Sequence, residues 1–270
     1  PPARVHRRGA SRHRTPLGPR LCQSPDTTSL LDMPDRSPRV YEQPALREAL
    51  GDVLRPGGLA LTDEALALCA LPPCARVLDV GCGAGSTVTH LRDQHDLAAI
   101  GLDASDVLLG SARATRPGLP LLLGRGEQLP ICDSVLDAIV AECSLSLMAD
   151  TRAALVEFRR TLKPGGRLLL ADLYLRNGDG RPPCGEHPPV SCLGGALTRM
   201  QVTGMLAELG FALHGWQDRS QALKVLAARL ILAGIPPAQL WTGACAGRNI
   251  TGDALKPGYF WLVASKGGVD

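Results

Sequence analysis

At 270 residues, 45% hydrophobic and 20% charged, the chain suits one globular domain with additions and a substantial core; aromatics are only 3%, so that core must be built from Leu, Val, Ala and Ile. The net charge of +3 sits in residues 1–32, where six arginines face two aspartates, so the rest of the chain is net −1; this gives no case for nucleic-acid binding, and no apolar run is long enough to span a bilayer. Nine cysteines, an odd number with no C-x-x-C pair, argue against a disulfide framework and for reduced thiols in a cytoplasm.

Residues 1–38 are rich in Arg, Pro and Ser and lack a hydrophobic period. They read as a disordered basic tail, either an upstream reading extension ahead of Met33 or a fragment, in preference to a targeting signal. Residues 39–75 read as a helical cap. One helix is predicted from Val40 through Leu46, Leu50 and Val53, stopped by Arg55-Pro56-Gly57-Gly58. A second is predicted over Thr62 to Ala70, with Thr62 as its N-cap, before Pro72-Pro73. The cap is expected to cover the edge of a ligand site, with Tyr41 packing there.

The stretch Val77-Leu78-Asp79-Val80-Gly81-Cys82-Gly83-Ala84-Gly85-Ser86-Thr87 organises the rest of the chain. An apolar run reaches an acid, breaks into alternating glycines, and passes into a helical pattern through Val88 and Leu91. This is strand, tight loop, helix. The glycines allow a sharp turn and close backbone approach to a ligand. The dinucleotide version of such a loop wants Gly or Ala where Ser86 stands, which argues against NAD or FAD. A second buried strand, Ala98–Asp103, ends in another acid, at the place where a carboxylate can accept both hydroxyls of a ribose.

Further elements alternate: a helix over Ser105–Arg113 with Ser105 as N-cap, strands at Leu119–Gly124 and Leu136–Glu142, a helix over Arg152–Leu162, a turn at Lys163-Pro164-Gly165-Gly166, and a strand at Arg167–Leu173. After a loop at 176–195 come a helix (Gln201–Leu209), a strand (Ala212–Trp216), a helix (Gln221–Ala233) and a last strand (Tyr259–Ala264). The order predicts an α/β fold: a Rossmann-like, doubly wound, mostly parallel sheet of about seven strands with helices on both faces.

Asp79-x-Gly81-x-Gly83-x-Gly85 together with Asp103 resembles the class I S-adenosylmethionine-dependent methyltransferases, in the methyltransferase type 11 group. The resemblance implies that residues 76–175 are the cofactor-binding core and that 176–270 complete the same domain with an acceptor-side loop and a final pair of strands, one of them antiparallel. It implies that backbone amides at Gly81, Cys82, Gly83 and Gly85 hold the methionine part of the cofactor, with Asp79 near its ammonium group. Asp103 and Ala104 then flank the ribose, and Gly126 and Glu127 meet the adenine. Many relatives carry an acid where Arg125 stands.

The acceptor side resembles the arsenite methyltransferases over Val77–Phe211. Val140-Ala141-Glu142-Cys143-Ser144 follows the fourth strand, and Ser191-Cys192-Leu193-Gly194-Gly195-Ala196-Leu197 precedes the helix that ends Gly210-Phe211. The resemblance implies that Cys143 and Cys192 are thiol ligands for a soft acceptor, with Cys143 also bordering the cofactor. A further cysteine of that family has no counterpart in Arg55–Gly58. Cys184 and Cys245 are candidate third ligands. Cys22, Cys69, Cys82 and Cys132 read as packing or incidental, and His187 as solvated. No resident metal is expected. The acceptor is a small molecule: a soft metalloid or thiol, or alternatively a quinone-like metabolite methylated on carbon or oxygen. A third alternative is a protein that binds S-adenosylmethionine without catalysis.

Overall fold

Short, nearly unbroken apolar runs make strands that are buried on both faces, and amphipathic segments between them make helices that cover those faces. In chain order the computed structural model has α1 (Gly58–Ala67), β1 (Arg76–Val80), α2 (Ser86–His95), β2 (Ala98–Asp103), α3 (Asp106–Thr115), β3 (Leu121–Leu123) and β4 (Leu136–Glu142). Then come α4 (Thr151–Thr161), β5 (Leu162–Leu175), β6 (Leu197–Thr198), α5 (Arg199–Glu208), β7 (Phe211–Asp218), α6 (Ser220–Leu232) and β8 (Pro257–Lys266). The structure describes residues 40–43, 46, 51, 53–177, 191–236 and 256–267. The basic tail, Leu50 of the first predicted helix, and Cys22, Cys184, His187 and Cys245 lie outside the described residues.

The strands run in the order β3-β2-β1-β4-β5-β8-β7, with two-residue β6 pairing β5 off this path. β3, β2, β1, β4 and β5 are mutually parallel, and β8 is antiparallel to both β5 and β7. This is the expected doubly wound sheet with its one antiparallel member. One face packs Val77, Ala138, Val140, Leu169 and Val263 against α1, α2, α3 and α6. The other packs Leu78, Ile139, Leu168 and Leu262 against α4 and α5. No helix among the described residues is long and apolar enough to cross a membrane.

Local signals set most element ends. Ser105 caps α3 by accepting from the Leu108 amide at 3.1 Å, as expected. Thr198 and Gln201 form a reciprocal capping box on α5. The predicted Lys163–Gly166 turn lies within the bounds of β5. The pairing steps from Leu136↔Leu162 to Ala138↔Arg167, so residues 163–166 bulge out of the ladder, with Gly165 at φ +74°.

Two expectations are corrected. Thr62 is not an N-cap: α1 starts four residues earlier, behind Gly57 at φ +74°, and Thr62 is fully buried within it. Its hydroxyl bonds the Glu142 carboxylate instead. Cys132, read as packing or incidental, is disulfide-bonded, while Cys69, Cys74, Cys82, Cys143 and Cys192 are free.

Candidate active site

The carboxyl ends of β1, β2 and β4 converge on a cavity of about 190 Å³. It lies where strand order reverses in a doubly wound sheet, the usual place for a ligand in this architecture. Gly81, Cys82, Gly83, Asp103, Ala104, Gly126, Glu127 and Cys143 all line it, so the structure brings together most of the residues singled out in the sequence. Asp79 and Gly85 stand behind the lining. Cys192 lies deeper still, behind Cys143 and Tyr41.

The glycines serve distinct purposes. A Cβ on Gly81 would come within 2.3 Å of Ser144 Cβ, and one on Gly85 within 2.5 Å of Leu119 Cδ2. Those two permit packing. At Gly83 the nearest atom would be Leu108 Cδ1 at 4.0 Å, so its bare backbone faces the cavity. The loop's amides do not face a ligand as expected. Those of Gly81 and Cys82 donate to the Leu102 carbonyl (2.7 and 3.1 Å), that of Gly85 to the Cys82 carbonyl (2.9 Å), and that of Gly83 to Asp103 Oδ2 (2.7 Å). The loop supplies shape, while these four amides are satisfied within the protein.

Asp103 also accepts from the Ser105 amide through Oδ1 at 2.8 Å, so its carboxylate is fixed at the cavity wall. Asp79 is different. It is 2% exposed, and its Oδ2 finds no hydrogen-bond partner among the described residues. Burial, reinforced by the nearby Glu142 carboxylate, pushes its carboxyl up to about 8, against the pull of Arg55. A buried carboxylate oxygen without a donor is an unfinished arrangement that a bound cation would complete.

Glu142, at the end of β4, anchors a network that sequence reasoning misses. It accepts from Thr62 at 2.8 Å and Thr87 at 3.5 Å and pairs with Arg55 at 2.9 Å. Arg55 also donates to Thr62 at 2.6 Å. The signal available is an acid ending an apolar strand, as at Asp103. Nothing local in the cap points to Arg55 or Thr62.

On the adenine-side expectation, a Cβ on Gly126 would meet Met148 Cε at 2.6 Å. Glu127 accepts from the Ala149 amide at 2.8 Å and stands 3.7 Å from Arg125. It is a loop-bracing acid that also borders the cavity, rather than a purely solvated one.

Cys143 has φ +51°, which turns the chain sharply after β4. Its thiol donates to Tyr259 at 3.7 Å, while Cys192 donates to the Cys143 carbonyl at 3.4 Å and accepts from the Tyr41 hydroxyl at 3.0 Å. Cys143, Cys192 and Asp172 offer ligand atoms within 4.8 Å of one another. The bond to Cys192, then burial, pushes the Cys143 thiol well up; burial does the same to the Tyr41 and Tyr259 hydroxyls. These groups therefore keep their protons at neutral pH. Tyr41 both packs and lines the cavity.

Residues 78–170, from β1 into β5, match the family model for a methyltransferase domain. The chain is similar to methyltransferases over that stretch. It is 28% identical over 207 residues to an O-methyltransferase of Pyrenophora dematioidea, covering 72% of this chain and 76% of that one. The chain spans half or less of the next curated relatives. Among solved structures, the methyltransferase fold aligns with the [4+2]-cyclase SpnF at TM-score 0.59 and 27% identity, over 78% of this chain and 81% of that one. It also aligns with Haemonchus contortus phosphoethanolamine N-methyltransferase 2, solved with phosphomonomethylethanolamine and S-adenosylhomocysteine, at TM-score 0.64 and 17% identity over 83% and 56% of the two chains. Methyltransferase domains of this class use S-adenosylmethionine. The spare oxygen of Asp79 and the open face of Gly83 fit its cationic amino-acid end.

Proposed function

We propose that this protein transfers a methyl group from S-adenosylmethionine to a small-molecule acceptor. The observation that carries the reading is the unpartnered Asp79 oxygen beside the glycine loop, within the stretch that matches the methyltransferase family. Asp79 would take the cofactor's ammonium group, Asp103 and Ala104 would border its ribose, and Gly126 and Glu127 its adenine. The bound cofactor supplies an activated methyl on its sulfonium, and the protein's part is alignment and exclusion of water.

No histidine among the described residues lines the cavity. Tyr41 and Cys143, on the acceptor side, keep their protons and donate them in hydrogen bonds to Cys192 and Tyr259, so neither removes a proton from an acceptor. The reading therefore favours an acceptor that brings its own lone pair or ionises readily, such as a phenol or quinol oxygen. The O-methyltransferase relative supports the same class.

The test is calorimetry with S-adenosylmethionine, followed by transfer of labelled methyl to a panel of phenols, quinols and thiols. A folded protein that binds no S-adenosylmethionine would sink the proposal. Binding without product would point to a cofactor-binding protein of other chemistry.

A second reading rests on the clustering of Cys143 with Cys192. These thiols suit a soft metalloid such as arsenite, although Cys192 is reached only if Tyr41 gives way. Methylarsenical formation from arsenite plus glutathione, lost in Cys143→Ser and Cys192→Ser, is the outcome this reading requires.

A further inference from the structure

Helices α1 and α2 carry a second polar cluster, none of whose members lines the cavity. Asp63 Oδ1 lies 2.6 Å from His90 Nε2 and 2.8 Å from His95 Nε2. All three donor atoms fall within 4.8 Å of one another, and the two imidazoles meet edge to face with centroids 5.1 Å apart. The side chains of His90, His95 and Asp63 are 15%, 30% and 44% exposed, so an ion can enter and water can complete its shell.

Two imidazole nitrogens and one carboxylate oxygen suit first-row transition cations such as Zn²⁺, not the oxygen-seeking Mg²⁺ or Ca²⁺. Metal–ligand bonds of about 2.0–2.2 Å in tetrahedral array set donor atoms roughly 3.3 Å apart. The two distances from Asp63 approach that spacing if its carboxylate retreats by about half an ångström, a small rotation for a partly exposed side chain.

We propose that Asp63, His90 and His95 bind one divalent transition cation that fastens α1 to α2. The same two helices contribute Thr62 and Thr87, which hold Glu142 at the cavity. The ion would therefore stiffen the helix pair that supports the ligand site. This inference does not depend on which ligand the cavity takes.

The experiment is calorimetry of Zn²⁺ into the full chain carrying Cys143→Ser and Cys192→Ser, which removes the competing thiol pair, with Mg²⁺ as control. One saturable Zn²⁺ site, no Mg²⁺ binding and a higher melting temperature with Zn²⁺ are expected. His95→Ala and Asp63→Asn in that background should each weaken Zn²⁺ binding about tenfold or more, while Asp93→Asn, an exposed acid on the same helix, leaves it unchanged. Circular dichroism of each variant without metal shows that the fold is intact. His95→Gln provides a milder substitute should the alanine variant fail to fold. Zn²⁺ binding that is absent, or equal in the parent and in the His95 and Asp63 variants, overturns the proposal.

Discussion

Asp79 is the residue on which ligand binding and pH dependence meet. Its folded carboxyl titrates near 8, while an unfolded aspartate titrates at about 3.9. The folded protein thus holds a proton that the unfolded chain has released, and stability from this group is complete below about pH 4 and drains away as pH rises towards 8. Asp172, raised to about 6 by burial against the opposing bonds from Ser146, acts in the same direction but finishes earlier. The melting temperature of the ligand-free protein should therefore fall between pH 6 and 8, and Asp79→Asn should flatten that interval specifically. A cationic ligand needs the ionised form, so S-adenosylmethionine should bind more tightly at pH 8 than at pH 6 and release a proton, readable by calorimetry in buffers of different ionisation enthalpy. Asp79→Asn should weaken binding by about tenfold to a hundredfold, the scale of a hydrogen bond to a charged group. Methylthioadenosine, which lacks the ammonium, should bind the wild type similarly weakly. The two glycines make a matched pair. Gly81→Ala should destabilise the fold by about 1–3 kcal/mol through its collision with Ser144. Gly83→Ala, free of collision but strained at φ +53°, should cost stability less than Gly81→Ala and damage cofactor affinity more, as titration and urea melts on both variants would separate.

At the scale of elements, the clamp around Glu142 joins the cap segment, α1, α2 and β4. Arg55 and Glu142 are 11% and 4% exposed, so their pairing is a buried one. Arg55→Met should cost about 3–5 kcal/mol in urea denaturation because it strands the carboxylate, and adding Glu142→Gln should recover part of that loss. Such contacts explain what can be read from the chain and what cannot. β1 and β2 are legible because Val77-Leu78 and Ala98–Leu102 are apolar on both faces, and the alternating glycines mark the turn between strand and helix. Ser105 is legible as a cap because capping is local. Thr62 misleads for the same reason: threonine is a good cap, and nothing nearby in sequence reveals a carboxylate 80 residues away. The glycine-loop amides look free for a ligand because their acceptors, Leu102 and the Asp103 side chain, lie across a strand crossover. Tyr259 comes to Cys143 from the far end of the chain, a meeting that only the return of β8 creates.

For the whole molecule, the family-matched residues 78–170 are not a self-sufficient unit. They end inside β5, whose free edge is covered by β8 along nine paired positions, Arg167↔Ser265 to Leu175↔Pro257. A chain ending at Gly234 should consequently lose its cooperative melt, as far-UV circular dichroism on heating would show, since β5 and β7 both lose their neighbour. The placement of β8 explains why so late a strand matters so much. Tyr259, Trp261 and Val263 enter one core, and Phe260, Leu262 and Ala264 the other. Most late strands that join a finished sheet have a wet side on which misalignment is tolerated. This one has none. A slip of a single position would exchange the tenants of two separate interiors at once, so the closing residues of the chain act as a proofreading key that admits only one alignment.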